Sequence, residues 1–317
     1  MDRFQAIDAF VRVAETQSFT AAAQQMRVSR SVITDRIQQL EAFIGAPLFH
    51  RNTRSVHLSD LGQAFLSECV ELIGRTNEIV DQMRGAGAAP VGRLRVHALP
   101  GFVLGHLAGV LREFQTRYPE VMLEIVVNDA AIDPVKEGFD CALQIFPPRS
   151  EELVSRPLFP VRRIFCATPA YLQAHGCPRH PRDLLGHRIG WYSGYPTRER
   201  VVFHGPEGVD AVALELKPAL LSNSVHLLRE YAEEHAGLVC LPTLLASAPV
   251  LEGTLTPVLP QWQLGSFWLN AFYPASLRGS LKLRFFLEML NESFRSGEPP
   301  WDQALREAGV SPQDYSD

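Results

Sequence analysis

No run of apolar residues approaches the roughly 18 that a bilayer-crossing helix needs, which excludes a helical membrane span. The opening Met1-Asp2-Arg3-Phe4 begins an amphipathic pattern instead of a basic stretch followed by an apolar one, so no secretory signal is expected. Cysteine is scarce. Cys69, Cys141, Cys166, Cys177 and Cys240 are scattered and odd in number, which speaks for a reduced, cytoplasmic setting over a disulfide scaffold. Phosphate-cradling loops, dinucleotide-binding glycine patterns and nucleophile elbows are missing too. Their absence disfavours the familiar enzyme classes and implies no resident cofactor or metal. His175-x-Cys177-x-x-His180 has ligand-like spacing but no evident fourth ligand, and is expected to be a surface loop. Internal repeats are also lacking.

What is present suffices for two or three folded domains. The chain has 317 residues, and 46% hydrophobic against 21% charged residues allow real cores and exclude disorder. The net charge of −5 argues against a uniformly basic nucleic-acid binder, yet it hides an asymmetry. Residues 27–57 carry five arginines against Asp35 and Glu41, a local +3; residues 295–317 carry two arginines against five carboxylates, a local −3.

Phe4, Ile7, Phe10, Val11 and Ala14 recur at helical spacing. Thr20 is a candidate cap for a short second helix through Ala21-Ala22-Ala23 to Met26. After a break at Val28-Ser29, a third helix over 31–43 puts Val32, Ile33, Ile37 and Leu40 on one face and stops at Gly45, with Pro47 beyond. Leu48-Phe49 and Val56-x-Leu58 then flank the basic tip His50-Arg51-Asn52-Thr53-Arg54, the pattern of a short hairpin. Leu61, Phe65, Cys69, Leu72, Thr76, Ile79 and Met83 approximate a 3.5-residue repeat, which predicts a helix of about 36 Å that pairs along a seam. Residues 85–90 are a Gly/Ala/Pro linker.

Beyond Gly92 the texture is α/β. Strands are predicted at 94–98, 121–127, 140–145 and 237–241. Helices are predicted before Tyr118, briefly near Val135, at 227–234 and at 280–294. Residues 298–317, acidic and proline-containing, read as a frayed tail.

Several of these residues fall together in one pattern: Phe19-Thr20-Ala21-Ala22-Ala23, Val28-Ser29, Val32-Ile33-Thr34-x-x-Ile37-x-x-Leu40-Glu41, Gly45-x-Pro47-Leu48-Phe49-x-Arg51 and Leu58-Ser59-x-x-Gly62. That pattern resembles the N-terminal signature of the LysR-type transcriptional regulators. The likeness continues through Gly92-Arg93-Leu94-Arg95-Val96, Phe114-x-x-Arg117-Tyr118-Pro119, Glu137-Gly138-Phe139-Asp140 and Thr168-Pro169-Ala170-Tyr171-Leu172, covering roughly 1–295. The resemblance implies an all-α winged helix-turn-helix head (1–60), a dimerising linker helix with its hinge (61–90), and an α/β two-lobed domain like a periplasmic binding protein (91–297). Lobe I would span about 91–164 and 270–297, and lobe II about 165–269. A sequence-specific regulator that binds double-stranded DNA at a palindromic operator follows, as a homodimer or homotetramer engaging RNA polymerase, switched by a small-molecule effector. Alternatives are a thiol redox sensor of the same fold, a ligand-binding protein without regulation, and, least favoured, an enzyme.

In a helix-turn-helix the second helix presents its N-terminal side chains to base edges, here Arg30, Ser31, Thr34, Asp35, Arg36 and Gln38. Arg51 and Arg54 at the hairpin tip suit phosphates or the minor groove. Asp35 stands where the family usually has a basic or neutral residue, and would repel phosphates unless it accepts from cytosine or restrains an arginine. Effector candidates sit at strand carboxyl ends: Leu99, Pro100, Gly101, Phe102, Asn128, Gln144, Phe146, Tyr192, Ser193, Asn223, Ser224, Leu241 and Pro242. Pro100-Gly101-Phe102 and Gln144 replace hydroxyls and an arginine common in the family, which favours a neutral or aromatic ligand over a carboxylate.

Overall fold

The structure is a computed structural model that describes residues 2–52, 55–83, 89–148, 153–295 and 298–310. The tip residues Thr53 and Arg54, most of the predicted linker and residues 311–317 lie outside the described residues.

The head begins with α1 (Arg3–Thr16), α2 (Phe19–Met26) and α3 (Arg30–Ile44). Ala6, Phe10, Val13, Ala22, Ile33, Ile37 and Leu40 interlock between them. The cap of α2 is Ser18, whose hydroxyl accepts from Ala21 N at 3.2 Å, and not Thr20 as expected, because Ser18 holds the extended backbone a cap requires. Ser29 caps α3, and Gly45 ends it at φ 83°, where a side chain would be strained.

A hairpin of β1 (Phe49–Asn52) and β2 (Ser55–Leu58) follows, then α4 (Asp60–Met83). Glu41 fastens the hairpin to α3: its Oε1 accepts from Leu48 N at 2.7 Å and Phe49 N at 3.2 Å. The Leu48 carbonyl accepts from Ser59 N at 2.9 Å, and Ser59 Oγ caps α4 at Gly62 N. A Cβ on Gly62 would collide with that same carbonyl, which explains the glycine. Gly62→Ala should lower the head's stability by about 1–3 kcal/mol although alanine is the better helix former. Thermal unfolding checks it, and a raised Tm would contradict the close approach.

One expectation about α4 is corrected. Cys69 does not lie on the outward seam. It is buried with Leu66 and Ile73 against the head, while Leu61, Leu72 and Ile79 remain 45%, 48% and 44% exposed. The pitch of a straight helix moves the outward stripe to 61, 72, 76 and 79, while Phe65 packs against Phe10 of the head at 5.4 Å.

The remaining chain builds two lobes. Lobe I comprises β3 (Gly92–Ala98), the turn α5 (Pro100–Phe102), α6 (Ala108–Arg117), β4 (Val121–Val127), β5 (Cys141–Gln144) and β6 (Leu153–Val161). Residues 134–138 form turns, not the short helix expected near Val135; the Asp133 carboxylate takes the Val135 and Lys136 amides, an Asx-type turn.

Lobe II comprises β7 (Arg163–Ala167), α7 (Pro169–His175), β8 (Ile189–Tyr192), β9 (Arg200–His204), β10 (Val212–Glu215), β11 (Leu220–Ser222), α8 (Val225–Glu233), β12 (Leu238–Pro242), α9 (Thr243–Leu251), β13 (Thr256–Val258) and β14 (Gln263–Leu264). The chain returns through β15 (Phe267–Pro274) and α10 (Leu281–Arg295) to α11 (Pro300–Glu307).

The lobe sheets run β4-β3-β5-β15-β6 and β11-β8-β12-β7-β13, with a three-stranded β10-β9-β14 ribbon beside the second. Two crossings join them, at Arg162 and between Leu264 and Phe267. Helix α9 spans the junction, with Leu244 and Leu245 in the core of lobe I and Ala246 in that of lobe II.

The frayed tail is a second correction. Helix α11 buries Trp301 and Leu305 against lobe I, and fully buried Asp302 meets the Arg162 guanidinium at 2.6 Å. Burial pushes the Asp302 carboxyl up from its ordinary range, and Arg162 opposes that shift. Composition hid this helix because its apolar face is only three residues wide. The head rests on lobe I through Gln25 Nε2 to Val135 O (2.9 Å) and Ser276 Oγ to Glu15 Oε1 (2.9 Å). No helix among the described residues is long and apolar enough to cross a membrane.

Candidate DNA-binding face and effector cleft

Helix α3 is two-sided. Its inner face is the Ile33, Ile37 and Leu40 ridge, and its outer face exposes Arg30, Ser31, Asp35 and Gln38, with Thr34 half-buried between them. Thr34 Oγ1 donates to Arg30 O at 2.9 Å, which fixes its rotamer and leaves its methyl group for contact. Arg36 lies on the flank beside α1 and donates to Gln5 Oε1. The α2–α3 turn is tight because Arg27 takes the left-handed conformation at φ 54°. The backbone of Arg51 pairs with Val56 in the hairpin, and Arg54 lies outside the described residues. The outer face therefore brings one arginine and four short polar side chains together at the start of a rigid helix.

Between the lobes lies an apolar cavity of about 50 Å³. Leu99, Gly101, Phe102, Phe146, Tyr192 and Pro242 line it, as the strand-end rule anticipated. Pro100, Asn128, Ser193, Asn223, Ser224 and Leu241 do not. Gln144 is a correction with a clear cause: its buried carboxamide accepts from Ile132 N and donates to Ile132 O, both at 3.0 Å, so it brackets a loop and does not line the cavity. Ser224 instead caps α8. Gly101 allows the lobes to approach, since a Cβ there would stand 3.1 Å from Leu245 and 3.3 Å from Val225.

The residues that sequence reasoning missed are informative. Arg163 and Asp129 carry the charge in the lining. Burial raises the Asp129 carboxyl, against the pull of His226 and a bond to Ser224. Tyr195, Phe267 and Phe146 form an aromatic wall, with Tyr195 and Phe267 stacked at 5.6 Å and Phe146 edge-on to Phe267 at 5.1 Å. The available signal was an arginine pair interrupting the apolar run Leu158–Ala167, where the chain crosses between lobes.

Four of the five thiols give the redox alternative no support, and the fifth, Cys177, is exposed on a loop with no second cysteine described beside it. Cys69, Cys141, Cys166 and Cys240 are buried, and burial pushes the Cys69 thiol up to about 12 and the Cys240 thiol up to about 11, so thiolate is scarce at neutral pH. Among the described residues no cluster of histidine, cysteine and carboxylate suits a metal. His175 stacks on Tyr171 at 4.3 Å, and His180 caps the turn after it by accepting from Arg182 N.

A helix-turn-helix head on a two-lobed domain with an apolar cleft between the lobes defines a DNA-binding protein of the ligand-responsive class. Comparison with known proteins agrees. Residues 4–63 match the bacterial regulatory helix-turn-helix proteins of the lysR family, and residues 87–295 match the LysR substrate binding domain. The chain belongs to the LysR family.

It is 29% identical to the HTH-type transcriptional regulator PtxR of Pseudomonas aeruginosa, over 94% of this chain and 95% of that one. It is 26% identical to the HTH-type transcriptional activator AaeR of Escherichia coli, over 93% and 94%. Its structure resembles that of CrgA, a LysR-type regulator from Neisseria meningitidis, with a TM-score of 0.58 at 27% identity over 91% of this chain and 97% of that one. The Vibrio cholerae virulence activator AphB shares the fold, with a TM-score of 0.55 at 22% identity over 90% and 97%. The protein is thus a DNA-binding transcriptional regulator with an effector-binding domain.

Proposed function

We propose that the protein acts as a dimer or a dimer of dimers, reads a palindromic operator through the outer face of α3, and changes transcription by RNA polymerase when an effector alters the angle between its lobes. The observation that carries this reading is the outward placement of Arg30, Ser31, Asp35 and Gln38 at the capped end of a helix whose opposite face is locked into the head's core. The hairpin serves as a wing, with Arg51 and Arg54 near the phosphates. The two lobes close on the ligand as periplasmic binding proteins do. The cleft matters only if the ligand favours one lobe arrangement over the other, since equal affinity for both would shift nothing. Such work on chromosomal DNA places the protein in the cytoplasm.

In vitro transcription from a promoter that the protein selects, with purified polymerase, tests the function. Transcript yield should change on adding the protein and change again with an effector; unchanged yield in both cases would refute it. Arg54→Ala should weaken specific and random DNA alike and lower the slope of log affinity against log salt by about one. A titration at several salt concentrations reads this, and an unaltered slope would place Arg54 away from the DNA.

A further inference from the structure

We infer that the effector is a single-ring aromatic carboxylate whose anionic group pairs with Arg163; the inference rests on the reading of the inter-lobe cleft as the effector site. Size comes first. A cavity of about 50 Å³ is about a third of the roughly 150 Å³ that admits benzene, so the ligand is small and the lobes must part to seat its ring.

Shape comes second. The aromatic wall of Tyr195, Phe267 and Phe146 is faced by aliphatic side chains that include Val225, Leu245 and Leu269, a slot suited to a flat apolar body.

Charge comes third. Arg163 is a permanent cation on that wall, with its guanidinium carbon 4.3 Å from the centroid of Phe267 and 4.9 Å from that of Tyr195. Its Nη2 donates to Gly265 O at 2.7 Å and the guanidinium also bonds the Tyr195 hydroxyl, but its Nε is buried with no acceptor. Asp129, the carboxylate in the lining, is engaged with Ser224 and His226. A half-desolvated guanidinium with an unspent donor is costly until an anion reaches it. The ligand carboxylate supplies that anion while the ring rests against the aromatic wall. The ligand is thus aromatic, as expected from Pro100-Gly101-Phe102 and Gln144, and departs from that expectation in bearing a carboxylate.

The test is calorimetric titration of the full-length protein with benzoate, hydroxybenzoates and phenylacetate, and with the corresponding neutral amides. At least one acid should bind tenfold or more tightly than its amide. Arg163→Met should erase that preference, and Arg163→Lys should keep most of it, which a purely structural arginine would not do. Circular dichroism confirms that each variant folds. Acids and amides binding alike, a preference that survives in Arg163→Met, or no binding by any member of the set would each overturn the inference. Val225→Trp, which fills the slot, separates the two levels. If it abolishes binding while Arg163→Met keeps the acid preference, the cleft stands and the charge assignment falls; if it leaves acid binding intact, the cleft reading falls as well.

Discussion

Leu72→Glu combined with Ile79→Glu is expected to leave a folded monomer that holds its operator at least about 100-fold more weakly than the unaltered protein. Both side chains sit on the outward stripe of α4, almost half exposed in the single chain, in line with Leu61. The opposite stripe, Leu66, Cys69 and Ile73, is already spent on the protein's own head. The outward stripe therefore has no partner within the head. A second copy related by a two-fold axis would bury the same residues from both sides and hold two heads at a fixed separation. Glutamates at two seam positions place like charges against each other in an apolar contact. The heads then bind as independent units and lose the effective concentration that tethering confers. Sedimentation equilibrium and a gel-shift titration at one salt concentration measure the two consequences. A dimer that survives the double substitution would move the interface elsewhere.

Arg30→Ala and Arg36→Ala should each cost about 1–3 kcal/mol on the operator and relax the preference at one base pair, with a much smaller effect on random DNA. Arg30 is the first residue of α3 and fully outward, so its guanidinium can reach guanine O6 and N7 without moving the helix. Arg36 must first exchange its bond to Gln5 for one to the duplex. That exchange makes Gln5→Ala a useful control: it should leave affinity nearly unchanged or raise it slightly. Equal losses on operator and random DNA would reassign the arginine concerned to a phosphate. Asp35 shares the outer face with Arg30, and the same titrations with Asp35→Ala will show whether it restrains an arginine or reads cytosine.

The head was legible in the sequence because its determinants are local. Ser29, Gly45, the Ile33/Ile37/Leu40 spacing and the Leu58-Ser59-x-x-Gly62 run each act within a few residues of themselves, and periodicity reports such effects directly. What was misread depends on distant partners. Ser18 outcompeted Thr20 as a cap through backbone geometry that composition does not carry. Cys69 belongs to the head's core because α1 lies against that side of α4, a fact of tertiary packing.

The cleft shows the same division. Strand-end positions such as Phe146 and Tyr192 follow from topology and were found. Arg163 was not, because its meaning arises from Phe267, more than a hundred residues away, which returns beside it. Gln144 looked available until Ile132 folded over its amide. Helix α11 looked like tail because acidic residues dominate the 298–317 stretch around it, yet Asp302 is held by an arginine 140 positions earlier.

The central claim is that the outer face of α3 recognises particular DNA sequences. The most direct measurement mixes the purified protein with fragments of its own genome at moderate salt and sequences those retained. The account predicts that a small set sharing a two-fold-symmetric motif is enriched about 10³-fold or more over bulk DNA, and that Arg30→Ala flattens the enrichment. Uniform retention of all fragments, with and without added aromatic acids, would contradict it.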